Sequence, residues 1–184
     1  MSSQHRAVTG VEVICGASLG ADGLAAVRDL CLLAFDGDFD ADDLAHARGG
    51  LHAVVRRGGV LVAHGALVAR NLKCGGRLVR AGYVEALAVS PQCRGEKLGA
   101  AVMGTLEELI EERFEMGALS TTSAARGFYR RRGWRAWAGP TWTSRDGRLQ
   151  RTAEDDDGVL VYAPAIDLDL GAAIVCDWRA GDVW

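Results

Sequence analysis

The 184-residue sequence has no apolar run of the roughly 18 residues that a membrane-crossing helix needs. Its opening Met1-Ser2-Ser3-Gln4-His5-Arg6 is not followed by an apolar signal core. A soluble, unexported, cytoplasmic protein is the expectation, with no membrane partner. Lysine is nearly missing, present only as Lys73 and Lys97. The five cysteines (Cys15, Cys31, Cys74, Cys93, Cys176) are odd in number and far apart, with no C-x-x-C pair and no zinc-finger spacing. That argues against a disulfide framework or a zinc site and for free thiols in a reducing compartment. No twelve-residue calcium loop occurs, so no metal is expected. Repeats, low-complexity tracts and linkers are also missing, as are the phosphate-binding G-x-x-x-x-G-K-[ST] and the dinucleotide-binding G-x-G-x-x-G patterns. Net charge is −3, and Arg130-Arg131-Arg132 stands without an aromatic platform or basic face, so nucleic acid is not an expected partner.

What is present is the mix of a globular protein with a sizeable core: 49% hydrophobic and 24% charged residues. One domain over residues 1–184 is expected. Val11 to Cys15 reads as a strand. Leu24, Val27, Leu30, Cys31 and Ala34 recur at three-to-four spacing and predict a helix over 21–35. The acidic run Asp36 to Asp43 reads as a loop leading into a helical turn. Gly58-Gly59 and Gly75-Gly76 divide the β-rich runs 51–57, 60–70 and 77–89 into an antiparallel meander. An amphipathic helix begins near Leu98, with Val102, Leu106, Leu109 and Ile110 on its apolar side and Glu107, Glu108, Glu111 and Glu112 on its polar side. A short strand (118–121), a short helix (124–132) and a C-terminal β region complete a mixed α+β pattern.

The segment Val89-Ser90-Pro91-Gln92-Cys93-Arg94-Gly95-Glu96-Lys97-Leu98-Gly99 carries the chain from a strand straight into a helix. Unpaired N–H groups, the helix dipole, two cations and two glycines there suit a phosphate or pyrophosphate. The unit resembles the acetyl-CoA-binding motif of the GNAT superfamily of N-acetyltransferases, Arg/Gln-x-x-Gly-x-Gly/Ala. Arg94 and Gly99 match its ends, and Lys97 stands at its middle glycine. The later Phe128-Tyr129 pair followed by Gly133-Trp134 resembles that superfamily's next helix. The resemblance implies a central, mostly antiparallel twisted sheet flanked by helices, with a splayed strand pair that binds acetyl-CoA. Leu87, Ala88 and Val89 would make main-chain contacts to pantetheine. Arg94, Gly95, Glu96, Lys97, Leu98 and Gly99 would hold the pyrophosphate.

Within that reading Glu85, the one charge in the strand Tyr83 to Val89, is the candidate base. A carboxylate and an amine at reference values differ by roughly 3.4 units, about 4.6 kcal/mol for full proton transfer, so a water-mediated base is expected. Tyr129 matches the tyrosine beside the CoA sulfur and is the candidate general acid; reference values place that donation about 2 kcal/mol uphill. Three acidic loops (Asp36–Asp43, Glu154–Asp157, Asp177 with Asp182) suggest a polycationic acceptor.

A closer resemblance covers nearly the whole chain. Gly37-Asp38-Phe39, Gly82-Tyr83-Val84-Glu85, Gly117-Ala118-Leu119-Ser120, Asp155-Asp156-Asp157-Gly158 and the closing Cys176-Asp177-Trp178-Arg179-Ala180-Gly181-Asp182-Val183-Trp184 are similar to the aminoglycoside 2′-N-acetyltransferases. This implies acetyl-CoA-dependent acetylation of the aminoglycoside 2′-amine, a capacity for antibiotic resistance, and a homodimer. The family's acceptor-binding positions fall on Asp38, Glu85, Ala86, Ser120, Asp155, Asp182 and the Trp184 carboxylate. Ala86 replaces the family's glycine. Two alternatives stay open from sequence: the same chemistry on a cell-wall amino sugar or polyamine, and a non-catalytic acyl-CoA- or drug-binding module.

Overall fold

A computed structural model describes residues 10–184; the opening Met1 to Arg6 lies outside the described residues. In chain order the elements are β1 (Glu12–Cys15), α1 (Gly20–Ala34), α2 (Ala41–Arg48), β2 (Leu51–Arg57), β3 (Val60–Cys74), β4 (Arg77–Val89), α3 (Leu98–Arg113), β5 (Met116–Ser120), α4 (Arg126–Arg130), β6 (Arg135–Ala136), β7 (Thr141–Arg145), β8 (Arg148–Arg151), β9 (Val159–Tyr162) and β10 (Ile174–Asp177).

The two glycine pairs make the meander. All four glycines have positive φ, which two-residue hairpin turns require at both central positions. Arg57 therefore pairs with Val60, and Cys74 with Arg77. Strand β3 runs four residues beyond its expected end, to Cys74, because the Gly75-Gly76 turn lets it pair with β4 to the last residue. The strands join one sheet in the order β6-β9-β5-β4-β3-β10-β7-β8, with β1 and β2 continuing from the start of β3. Only β4–β5 and β10–β7 are parallel among the described pairs, so the sheet is mostly antiparallel.

Helix α3 buries Leu98, Val102, Met103, Leu106, Leu109 and Ile110 against Ala53, Val55, Ala63, Leu67 and Val84 on one face of the sheet. Helix α1 packs Val27, Leu30 and Cys31 against Val54, Leu61 and Ala88 on the other. The alternation of Ala53, Val54 and Val55 between these clusters is the period-two signature of a strand covered on both faces. Each large apolar side chain among them contributes roughly 1.5–3 kcal/mol when fully buried.

Two expectations about charge change on folding. The acidic run ends in a full helix, α2, rather than a single turn. Asp40 accepts from the amides of Asp42 and Asp43 while Asp43 accepts from the Asp40 amide, a reciprocal cap. Glu107 does not belong to a solvated face. It accepts from Arg132 Nε (2.8 Å), Arg132 Nη2 (2.5 Å) and Trp134 Nε1 (2.9 Å), tying α3 to the turn that follows α4.

Candidate active site

Strands β4 and β5 pair only from Ala81–Met116 to Tyr83–Ala118, yet β4 continues for six more residues. From Val84 onward the two strands part, leaving one edge of β4 open towards β5. At the same point β4 carries a bulge. Ala66 faces Glu85 and His64 faces Ala88, so Gly65 stands opposite both Ala86 and Leu87. Ala86 takes the extra residue's conformation, with φ +51°.

The bulge reverses the strand's parity. Val84 packs with the α3 cluster; without an inserted residue, Ala86 and Ala88 would follow it. Instead Leu87 and Val89 pack there, and Ala86 and Ala88 join the α1 side. Glu85 and Ala86 thus both face the side of α1 and α2. A buried histidine pair fixes the kink: His64 Nδ1 lies 2.8 Å from the Ala86 carbonyl, and His64 Nε2 lies 2.8 Å from His52 Nδ1. A carbonyl accepts only, so His64 Nδ1–H is the donor, and its Nε2 accepts from His52. Burial pushes His64 down to about 4, which keeps it neutral.

Glu85 borders three cavities. One, about 350 Å³, is lined by Asp43, His46, Ser120, Glu154, Asp155, Arg179, Asp182 and Trp184 as well. A second, about 240 Å³, adds Asp38, Phe39 and Ala86. A third, about 330 Å³, reaches Leu87, Ser120, Tyr129 and Trp184. The six other expected acceptor positions, Asp38, Ala86, Ser120, Asp155, Asp182 and Trp184, therefore gather around the Glu85 carboxylate. Burial raises the Glu85 pKa against the opposing pull of Arg179, whose Nη1 donates to Oε1 at 2.5 Å. Asp155 is raised too, by burial and then by the neighbouring charges of Glu154 and Asp182. A carboxyl group whose pKa its acidic neighbours raise marks a place that a cation relieves. Asp156 instead braces the scaffold, since Arg151 and the Thr141 amide and hydroxyl hold it well below the usual carboxylate range. The Trp184 indole is buried, and its Nε1 donates to Thr152 Oγ1 at 3.0 Å.

Tyr129 is buried between Phe128 and Trp134, in edge contacts with ring centroids 5.1 and 6.0 Å away, and faces the cavity it shares with Glu85. Burial alone raises its pKa to about 12.

The expected pyrophosphate loop, Arg94 to Gly99, lines none of these three cavities. It lies at the far end of β4, where Lys97 precedes α3 with φ +62° and no side chain caps the helix. Glycine takes that conformation without penalty, which accounts for the glycine usual at this place in the motif. Arg94 Nη2 donates to the Ala34 carbonyl at the end of α1 (3.0 Å), and Glu96 pairs with Arg57 (2.5 Å). The open edge of β4 and the uncapped first turn of α3 lie in sequence along one strand–loop–helix unit. They suit a long ligand with amides at one end and an anion at the other.

Sequence reasoning misses Arg179 and His46, and takes in Asp43 only as part of the acidic run Asp36–Asp43. Asp43 and Arg179 stand inside segments that the sequence singles out, but there the signal comes from a run of acids and from their charge alone. Nothing local marks His46, whose Nε2 lies 2.8 Å from the Ala180 carbonyl across 134 residues. Among the described residues, no cluster of His, Cys, Asp or Glu is arranged to hold a metal, and no helix is long and apolar enough to cross a membrane.

Three comparisons bear on this geometry. Residues 25–134 match the acetyltransferase (GNAT) family. The chain is 45% identical over 161 residues to the aminoglycoside 2′-N-acetyltransferase of Mycolicibacterium fortuitum, covering 85% of this chain and 83% of that one. Among solved structures, a GNAT family acetyltransferase from Brucella melitensis in complex with acetyl-CoA superposes with a TM-score of 0.59 at 17% identity, over 94% of this chain and 97% of that one. A probable N-acyltransferase from Enterococcus faecalis V583 gives a TM-score of 0.56 at 18% identity over 72% of this chain; the chain spans only 34% of that protein's length. The fold, the family match and the extended identity agree: this chain is an acetyltransferase that belongs to the GNAT family, within the group of the aminoglycoside 2′-N-acetyltransferases.

Proposed function

We propose that the chain transfers the acetyl group of acetyl-CoA to the 2′-amino group of an aminoglycoside or a closely related polycationic amino sugar. One observation carries this reading: Glu85 faces the carboxylate-rich cavities and also the cavity where β4 and β5 part beside Tyr129. The 45% identity to an aminoglycoside 2′-N-acetyltransferase supports it. Acetyl-CoA supplies the activated thioester. Leu87, Ala88 and Val89 would pair with its pantetheine amides along the open edge of β4. Arg94, Gly95, Glu96, Lys97, Leu98 and Gly99 would receive the pyrophosphate at the start of α3.

Asp38, Ser120, Asp155 and Asp182 take the ammonium and hydroxyl groups of the acceptor, with Ala86 and Trp184 shaping its path. Glu85 accepts the amine proton through a water, and its raised pKa narrows the gap that free reference values leave. As the N–C bond forms and the C–S bond breaks, Tyr129 donates a hydrogen bond to the sulfur. A homodimer in the cytoplasm belongs to the same reading, and light scattering on the purified protein tests the assembly.

The test is thiol release with acetyl-CoA and two aminoglycosides that differ only in a 2′-amine or a 2′-hydroxyl. Turnover restricted to the 2′-amine is expected. Equal turnover of both would remove the 2′ assignment, and turnover of neither would remove the acceptor class.

A further inference from the structure

We propose that Arg179 is a positioning residue for this reaction: its guanidinium keeps Glu85 ionised and aimed into the acceptor cavity, and the same side chain fixes the backbone that carries Asp182. The proposal rests on the function put forward above.

The end of β10 and the segment after it, which lines the cavity with Arg179, Asp182 and Trp184, are held by three basic side chains from three parts of the chain. Arg70 on β3 donates from Nη2 to the Asp177 carbonyl at 2.9 Å. His46 on α2 lies 2.8 Å from the Ala180 carbonyl, so its Nε2 carries the proton. Arg179 donates from Nε to the Asp182 carbonyl at 2.8 Å. Of these three, Arg179 also hydrogen-bonds the Glu85 carboxylate, from Nη1 to Oε1 at 2.5 Å. It bridges the candidate base and an acceptor-binding loop with one rigid fork.

The pair is largely buried, with 17% of the Arg179 side chain and 14% of the Glu85 side chain exposed, so water screens it little. The guanidinium carbon lies over the Tyr83 ring, 5.4 Å from its centre. The bond uses Oε1 and leaves Oε2 to meet water or the acceptor amine. Other charged and titratable groups facing this carboxylate are His46 and Asp43 on α2, Arg70 on β3, Tyr83 on β4, Tyr129 on α4, and Asp38, Glu154, Asp155 and Asp182 on the loops. Burial would drive an unpartnered Glu85 towards its protonated form, in which it takes no proton. Arg179 opposes this most strongly, through its hydrogen bond and its charge, with His46 and Arg70 adding to it from farther away.

The experiment is the pH dependence of kcat/KM on the intact protein with acetyl-CoA and a 2′-amino aminoglycoside, for wild type, R179Q and R179K. In R179Q the acid-side limb moves up by about one pH unit or more, the shift expected on losing an opposite charge at this range. In R179K the cation remains and the limb stays near wild type. Lysine lacks the planar guanidinium whose Nη1 and Nε reach Glu85 and the Asp182 carbonyl at once, so the loop is held less firmly and the acceptor KM rises several-fold. An R179Q limb at the wild-type pH, with only a uniform loss of kcat, would show a merely structural arginine and overturn the proposal. So would an R179K acceptor KM equal to wild type. The Glu85 titration is also read without turnover, from carboxyl carbon shifts of 13C-glutamate-labelled protein assigned with E85Q. Wild-type protein inactive towards the 2′-amine would therefore sink the function proposed above, and this titration would still decide the role of Arg179.

Discussion

Burial raises the pKa of both Glu85 and Tyr129, and the two shifts act on acetyl transfer in opposite ways. A more basic Glu85 is a better proton acceptor. A tyrosine at about 12 is a poorer donor, since full transfer to a thiolate near its reference value then stands roughly 3.5 units, or about 5 kcal/mol, uphill. Tyr129 is better suited to stabilise the departing sulfur by a hydrogen bond than to surrender its proton. Glu85→Gln is accordingly expected to lower kcat by about 10²–10⁴-fold, the usual reach of a general base. Tyr129→Phe loses about 1–1.5 kcal/mol, on the order of tenfold. Steady-state thiol release measures both, and a Phe variant as impaired as the Gln variant would restore the general acid. Ala86 offers a second residue-scale test. Its left-handed backbone costs an L residue about 1–2 kcal/mol, partly offset in glycine by about 0.5–1 kcal/mol of chain entropy. Ala86→Gly should raise the thermal midpoint by about 1–4 °C and lower KM for bulky acceptors by removing a methyl group from the cavity of Asp38 and Phe39. A lower midpoint would mean that the β3–β4 bulge holds Ala86 without strain.

At the scale of elements, the site depends on a local irregularity in β4 that a buried histidine pair secures. His64 titrates near 4 in the folded protein against about 6.5 when unfolded, so between those values the unfolded chain binds more protons. Stability contributed by neutral His64 is fully present above about pH 6.5 and is lost as the pH falls towards 4. The full span corresponds to roughly 3 kcal/mol. Urea unfolding across that window should show stability rising with pH, and His64→Gln should flatten most of the slope. An unchanged slope in the variant would assign the effect to other groups, such as the carboxylates. The link between α3 and the turn after α4 works similarly. Glu107, Arg132 and Trp134 join α3, the helix that follows the Arg94–Gly99 loop, to the turn after α4, which carries Tyr129.

The whole molecule carries a net charge of −3, yet that charge is not evenly spread. Asp43, Glu85, Glu154, Asp155 and Asp182 line one cavity with a single arginine, while Arg94 and Lys97 sit at the other end of β4. On the function proposed above, a polycationic acceptor and a polyanionic cosubstrate would meet opposite potentials on their way to a shared strand. Raising ionic strength from 0.1 M to 1 M shortens the screening length from about 10 Å to about 3 Å. Over that range kcat/KM for a tetracationic acceptor should fall several-fold more than for a monoamine. Equal salt dependence for the two acceptors would count against the acidic cavity as the docking surface.

Much of this was legible in the sequence because it is locally encoded. The glycine pairs set the meander turns, the three-to-four spacing drew α1 and α3, and the step from Val89 to Gly99 marked a strand running into a helix. The acidic positions at Asp38, Asp155 and Asp182 were visible one by one, and the resemblance to known acetyltransferases tied them together. Tertiary structure alone decided the rest. Parity reversal at Ala86 depends on the register against β3, which no residue within β4 specifies. Glu107 left its expected solvated face because Arg132 and Trp134 fold back onto it. The contact between Arg179 and Glu85 joins residues 94 positions apart. Local periodicity reports which face a side chain takes within its own element, but such pairings exist only once the sheet has closed and brought its distant edges together.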